Sequence, residues 1–264
     1  MPFTPVGTHQ VYYDEYGSGR PLVLIPGLAT SRLSWSKQIE SLSQKHRLIA
    51  LDNRGAGDCV RAEGPFTIPA MADDAAGVIR NLHLGPTSLV GWSMGGFIAQ
   101  ELTLRHPELV DKLILVSTSA GGSSHIPAAA EILALLPPID DEDIETRIRR
   151  IYPHLTGQGY LQTHPQDLTL IVEQALAKPM TMESYLQQLN AIITWGGSGD
   201  RLAQIASPTL IIHGEADPLI PYANGLYLAE HLKGSRLLTY PGVGHLPPIE
   251  ATADFNRAVR EFLV

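Results

Sequence analysis

Hydrophobic positions along the chain follow two alternating patterns. Short, nearly all-apolar runs at residues 21–27, 46–52, 87–90 and 112–117 read as strands buried on both faces of a parallel sheet. Between them apolar residues recur at helical spacing. Trp35, Ile39 and Leu42 make one such face; Met71, Ala75, Val78, Ile79 and Leu82 make another, opening after Pro69 and ending near Gly85-Pro86. Residues 9–17, with Val11, Tyr13 and Glu15 in alternation, predict an antiparallel edge strand that turns at Gly17-Ser18-Gly19. Strands alternating with helices predict an α/β fold with a mostly parallel sheet flanked by helices. The alternation stops at Ser119–Ser124. From there to about Ala206 the pattern is helical only, through Ile132, Leu135 and Leu136, then Ile144, Ile148 and Ile151 behind the acidic start Asp140–Asp143. A third helix carries Leu168, Ile171, Val172, Ala175 and Leu176, and a fourth runs from Thr181 through Tyr185, Leu189, Ile192 and Ile193. A strand at Thr209 and helices at 222–232 and 250–262 restore the alternation. The expected organisation is a core of residues 1–120 and 206–264 with a helical cap at 121–205, which would exclude water and shape a pocket.

One turn in this pattern carries chemistry. Gly91-Trp92-Ser93-Met94-Gly95-Gly96 stands between the apolar strand Thr87–Val90 and the helical run Phe97–Leu102. Gly-x-Ser-x-Gly between a strand and a helix is the nucleophile elbow, in which glycines let the two elements approach closely and the serine takes a strained backbone. The five residues alone equally describe an ordinary Gly/Ser turn; the flanking strand and helix decide for a nucleophile.

A serine hydroxyl needs a base and a group to orient that base. In chains with this elbow the partners follow in the order serine, acid, histidine. The strand Thr209–His213 breaks into Gly214-Glu215-Ala216-Asp217-Pro218, and the strand after Ser235 ends in Pro241-Gly242-Val243-Gly244-His245. Asp217 and His245 are the candidate acid and base. Glu215 competes with Asp217 but lies nearer the strand end, where side chains tend to bond locally. The other nine histidines fall at strand borders, at helix ends or in the cap region, where packing or solvation explains them. The N–H of Met94, the residue after the nucleophile, supplies one oxyanion donor, and the turn after Leu22–Ile25 supplies the second at Leu28. Trp195, before Gly196-Gly197-Ser198-Gly199, is a candidate substrate contact or a core residue; Trp92 is expected to be buried.

These residues together resemble the α/β-hydrolase family over almost the whole chain: Pro26-Gly27, Asp52-Asn53-Arg54-Gly55-Ala56-Gly57, the Ser93 elbow, Asp217, and Gly244-His245 with Glu250 behind it. The likeness is greatest to the small bacterial esterase, enol-lactonase and carbon–carbon hydrolase group. It implies a cap inserted after the sixth strand and a cofactor-independent serine hydrolase of the carboxylesterase or lactonase type, acting on a small or medium ester or lactone. Carbon–carbon cleavage on the same triad, or a receptor-like protein that turns its ligand over slowly, are the alternatives. The chain departs from the family in having Pro26 where many relatives have histidine and Cys59 where they often have serine.

Composition narrows the field further. A net charge of −8 over 264 residues argues against nucleic acid as a partner. A single cysteine, Cys59, excludes an internal disulfide and agrees with a cytoplasmic location. No basic start precedes an apolar stretch, and no apolar run approaches the ~20 residues that span a bilayer. Gly17-Ser18-Gly19 and Gly55-Ala56-Gly57 do not extend to Gly-x-Gly-x-x-Gly, because Leu22 and Val60 take the third position. There is no Gly-Lys-Ser/Thr loop or His-Glu-x-x-His, so neither a nucleotide cofactor nor a metal is expected.

Overall fold

An eight-stranded sheet forms the centre of the protein, seen in a computed structural model that describes residues 2–59 and 64–264. Val60, which breaks the second glycine pattern, lies outside the described residues. In chain order the strands are β1 (Phe3–Val6), β2 (His9–Tyr16), β3 (Arg20–Ile25), β4 (His46–Leu51), β5 (Thr87–Trp92), β6 (Val110–Val116), β7 (Thr209–Gly214) and β8 (Arg236–Tyr240). Their spatial order is β1-β2-β4-β3-β5-β6-β7-β8. β1 and β2 pair antiparallel, β2 pairs antiparallel with β4, and every later neighbour is parallel.

The edge differs from the expectation. Residues 9–16 do form an antiparallel strand, but β1 lies outside it and is the true edge. β1 is only four residues long and contains Pro5, which has no N–H for a sheet ladder, so its sequence carries little strand signal. A Pro-bearing short strand suits an exposed edge, where it resists pairing with other chains.

The helices are α1 (Ser36–Leu42), α2 (Ile68–Asn81), α3 (Met94–Arg105), α4 (Ala130–Leu133), α5 (Ile144–Ile151), α6 (Tyr160–Thr163), α7 (Pro165–Ala177), α8 (Met182–Thr194), α9 (Ala223–His231), α10 (Pro247–Glu250) and α11 (Thr252–Leu263). Their starts follow local chemistry. Thr67, Asp143 and Thr181 each cap a helix by accepting a backbone N–H three residues on, which satisfies one of the donors a helix start leaves open. α4 to α8 fill the stretch between β6 and β7, where no described residue forms a strand.

Two apolar layers cover the sheet. One contains Val23, Ile49, Leu89, Leu115 and Ile211 against α2, α3 and α9; the other contains Leu22, Leu48, Val90, Ile114 and Ile212 against α1 and α11. Neighbouring residues of one strand thus enter opposite layers, as a sheet buried on both faces requires. Among the described residues no helix is long and apolar enough to cross a membrane.

Candidate active site

At the C-terminal end of β5 the chain reverses into α3 through Ser93, whose φ is +55° and ψ −118°. A side chain rarely occupies that region, and the turn survives because glycines surround it. A Cβ on Gly91 would strike the Gly95 carbonyl, one on Gly95 the Ile25 and Pro26 carbonyls, and one on Gly96 the Thr118 side chain. Two bonds hold the strained residue from β6 and the loop after it: Ser93 N–H donates to Val116 O at 2.9 Å, and Thr118 Oγ1 donates to Ser93 O at 2.8 Å.

The expected partners converge on this hydroxyl. His245 Nε2 lies 3.1 Å from Ser93 Oγ, and His245 Nδ1 lies 2.8 Å from Asp217 Oδ2. With a carboxylate facing Nδ1 the proton belongs there, which leaves Nε2 as acceptor for the serine. Asp217 is buried, and its other oxygen accepts the Leu219 N–H at 2.9 Å and the Ile220 N–H at 2.8 Å. Those bonds fix the carboxylate's rotation. Glu215 is exposed and accepts from Thr239 Oγ1 at 2.7 Å instead, the local role its position suggested. His213 lies fully buried beneath Asp217, 3.5 Å from Oδ2, and bonds to Ile220 O at 2.8 Å; burial pushes its imidazole below the usual histidine range.

Each backbone group around His245 is also held. Its N–H donates to Leu155 O at 2.7 Å, and its carbonyl accepts the Trp92 indole N–H at 3.0 Å. The Glu250 carboxylate takes the N–H groups of Gly244 and Leu246, each at 3.0 Å, and that of Gly157 at 2.7 Å. Burial raises Glu250 above the ordinary glutamate range against the opposing pull of these three donors. Leu155 and Gly157 belong to the stretch between β6 and β7, so the histidine loop is bonded directly to the helical insertion.

The turn after β3 abuts the elbow from the other side. A Cβ on Gly27 would sit 3.3 Å from Ser93 Cβ, and Leu28 lines the cavity next to it. Met94 is fully buried as the first residue of α3, where backbone N–H groups have no partner inside the helix. The Asp52–Gly57 loop supports this turn. Asn53 Nδ2 donates to Pro26 O at 2.9 Å, and Asp52 accepts the N–H groups of Arg32 and Asp58, each at 2.8 Å, and pairs with the buried Arg32 guanidinium. Cys59 is buried among Tyr12 N, Asp52 O and Gln10 O, and burial pushes its thiol up to about 12.

A cavity of about 180 Å³ opens at Ser93 and His245. Its walls are mainly apolar: Trp92, Leu219 and Leu246 from the core, and Ile144, Ile148, Ile151, Leu155 and Met182 from the insertion. Three charged groups at the wall are engaged. Glu142 binds Arg150 at 2.6 Å, Lys178 binds Asp58 at 2.7 Å, and the Arg147 guanidinium stacks 3.8 Å over the Tyr185 ring. His245 is the one histidine among the described residues that lines the cavity.

The structure places both tryptophans in buried positions and puts Trp92 alone of the two at the cavity wall. Trp195 is not part of the cavity wall. It packs against Phe97 with ring centroids 5.1 Å apart, donates its indole N–H to Glu101 at 3.3 Å and is buried in the layer under α3. Its neighbours are core residues, so its size marks core packing. Trp92 is buried as expected and also lines the cavity, while its indole holds the His245 carbonyl. Truncating Trp195 to alanine should therefore lower stability by about 3 to 5 kcal/mol, the usual cost of an aromatic cavity. Thermal unfolding should show the loss, and the cavity beside Ser93 should keep its shape because Trp195 is not part of its wall.

The sequence profile of the alpha/beta hydrolase fold matches residues 20–252, and the chain belongs to that family. A curated relative bearing the name carbamate hydrolase RutD, from Rhizobium rhizogenes, is 27% identical over 96% of this chain and 97% of its own length. Among solved structures, a thermophilic esterase from Thermogutta terrifontis superposes with a TM-score of 0.84 at 27% identity, covering 96% of this chain and 93% of the esterase. The enol-lactonase from Burkholderia xenovorans gives a TM-score of 0.87 over 99% of both chains; at 24% identity that likeness is one of fold.

Proposed function

We propose that the chain is a cofactor-independent serine hydrolase that cleaves a small or medium carboxylic ester or lactone through an acyl-enzyme. The observation that carries this reading is the hydrogen-bonded line from Ser93 Oγ through His245 to a buried Asp217, opening into an apolar cavity. His245 Nε2 takes the Ser93 proton as the oxygen attacks the substrate carbonyl. The oxygen of that carbonyl becomes an alkoxide, held by the N–H groups of Leu28 and Met94. Asp217 keeps the imidazole in its acceptor tautomer and stabilises the cation that forms. His245 then protonates the leaving alcohol, which in a lactone stays tethered to the acyl group. Water, deprotonated by His245, releases the acid and restores Ser93. The helices of 122–204 serve as the cap, since α5 and α8 supply much of the wall that an acyl chain would meet. The same attack would open the carbamate that the RutD name describes, but an aliphatic wall favours carboxylic esters with hydrocarbon acyl groups.

Nitrophenyl esters of graded acyl length test the reading. Release of nitrophenol should continue linearly through many turnovers. Release that stops after a single equivalent would replace the enzyme by a receptor-like binder, and no release with any ester or lactone would remove the assignment.

A further inference from the structure

We propose that Gln188 is a positioning residue for the oxyanion turn, so that the helical insertion builds part of the oxyanion hole as well as the pocket wall. The inference rests on the acyl-transfer reading above, because it concerns the Leu28 N–H. Gln188 sits on the inner face of α8 between Tyr185 and Ala191 and is completely buried. A buried amide is tolerated only when its polar atoms are satisfied, and an apolar side chain would fill the same place without that demand. Both partners of this amide are backbone groups of core loops. Oε1 accepts the Ala29 N–H at 3.1 Å, and Nε2 donates to Arg54 O at 2.7 Å.

The Ala29 contact matters because of what the neighbouring peptides do. Three consecutive peptide planes make the turn, and a polar side chain anchors each. Asn53 Nδ2 holds the Pro26 carbonyl at 2.9 Å, Thr30 Oγ1 holds the Gly27 carbonyl at 3.1 Å, and Gln188 holds the Ala29 N–H. A peptide is planar, so pinning the Gly27 carbonyl also aims the Leu28 N–H on the opposite side of the same plane. The plane after it must then be stationary, or rotation about Leu28 would carry the donor away. Ala29 needs such support, since its φ of +59° is a conformation that a residue with a Cβ avoids. Leu28 N–H itself meets no acceptor among the described residues, which leaves it available to an alkoxide. Asn53 and Thr30 come from the core; Gln188 is the anchor that the insertion provides.

Two substitutions separate positioning from packing. Gln188→Met keeps the volume and removes both bonds. Its kcat should fall about 10- to 100-fold with KM within about twofold, because a misaimed donor weakens the transition state and leaves ground-state binding alone. An alkyl boronic acid, whose adduct with Ser93 places an oxygen in the hole, should lose affinity by the same factor as kcat/KM. Gln188→Glu keeps an acceptor opposite the Ala29 N–H and loses the donor to Arg54 O. It should retain kcat within about threefold of the unaltered enzyme while melting as low as Gln188→Met or lower. Should Gln188→Glu not fold, the methionine variant and the boronate still decide. Unaltered kcat and boronate affinity in folded Gln188→Met would overturn the proposal, as would equal rate losses in two folded variants. Ser93→Ala, assayed alongside, keeps the two readings apart: full hydrolysis by that variant removes the alkoxide and the acyl-transfer reading with it.

Discussion

Replacing Ser93 by alanine is expected to lower ester turnover by about 10⁶-fold, the size of loss seen when an acyl-transfer enzyme loses its nucleophile. The fold should survive. Among the described residues Ser93 Oγ bonds only to His245, while its backbone holds the elbow through Val116 O and Thr118 Oγ1. Alanine carries the same Cβ into the positive-φ position, so the strain at the turn is unchanged. Thermal unfolding within a few degrees of the unaltered chain would show that the loss is chemical. A fluorophosphonate should label the unaltered chain at Ser93 and leave the alanine variant unmodified. Labelling of a different serine would move the nucleophile elsewhere.

The second large effect is expected at the acid. Asp217→Asn should reduce kcat by roughly 10⁴-fold with little change in KM. An amide at this place still accepts the Leu219 and Ile220 N–H groups through its oxygen, so the NH₂ group turns toward His245. Facing a donor, Nδ1 must give up its proton, and Nε2 then carries one and cannot take the proton of Ser93. Glu215→Gln should change kcat by less than about twofold, since Glu215 contacts Thr239 at the surface and not the imidazole. Steady-state kinetics of the two variants side by side measures the contrast. A reversal of the two effects would transfer the acid's role to Glu215.

The elbow was legible because steric demand writes itself into sequence: where a Cβ has no room only glycine fits, and Gly91 and Gly95 press against backbone carbonyls while Gly96 presses against the Thr118 side chain. The alternation of strands and helices was legible for the same kind of reason, as burial on both sheet faces forces continuous apolar runs. Asp217 and His245 could be placed because each follows a strand by a few residues, within reach of one end of the sheet. What failed to show was anything that depends on which distant segment lies opposite. Apolarity alone left Trp195 open between pocket and core and gave Trp92 no more than burial, whereas one faces Phe97 beneath α3 and the other faces the cavity. Gln188 drew no expectation from the sequence, because its partners at Ala29 and Arg54 are far away in the chain. A trace of it did exist: a glutamine stands between Tyr185 and Ala191 on the face that helical spacing turns inward. Glu250 left a similar trace, a carboxylate behind an otherwise apolar Leu246–Ile249 segment, but nothing in the chain announced that it would gather three N–H groups around the His245 loop.

Those bonds from Leu155 and Gly157 to the histidine loop bear on how such a protein can be remodelled. An insertion that merely rested on the sheet would behave as an interchangeable module, traded whole between relatives to acquire a new diet. Here the seat of His245 is stitched to residues 155–157, so a wholesale transplant would carry part of that seat away. Change confined to the side chains of α5 and α8 that face the cavity leaves the stitching in place. Redesign of this chain, whether by selection or at the bench, should therefore advance by point changes on those two helices, while the short segment 155–157 travels only in company with Gly244-His245-Leu246 and Glu250.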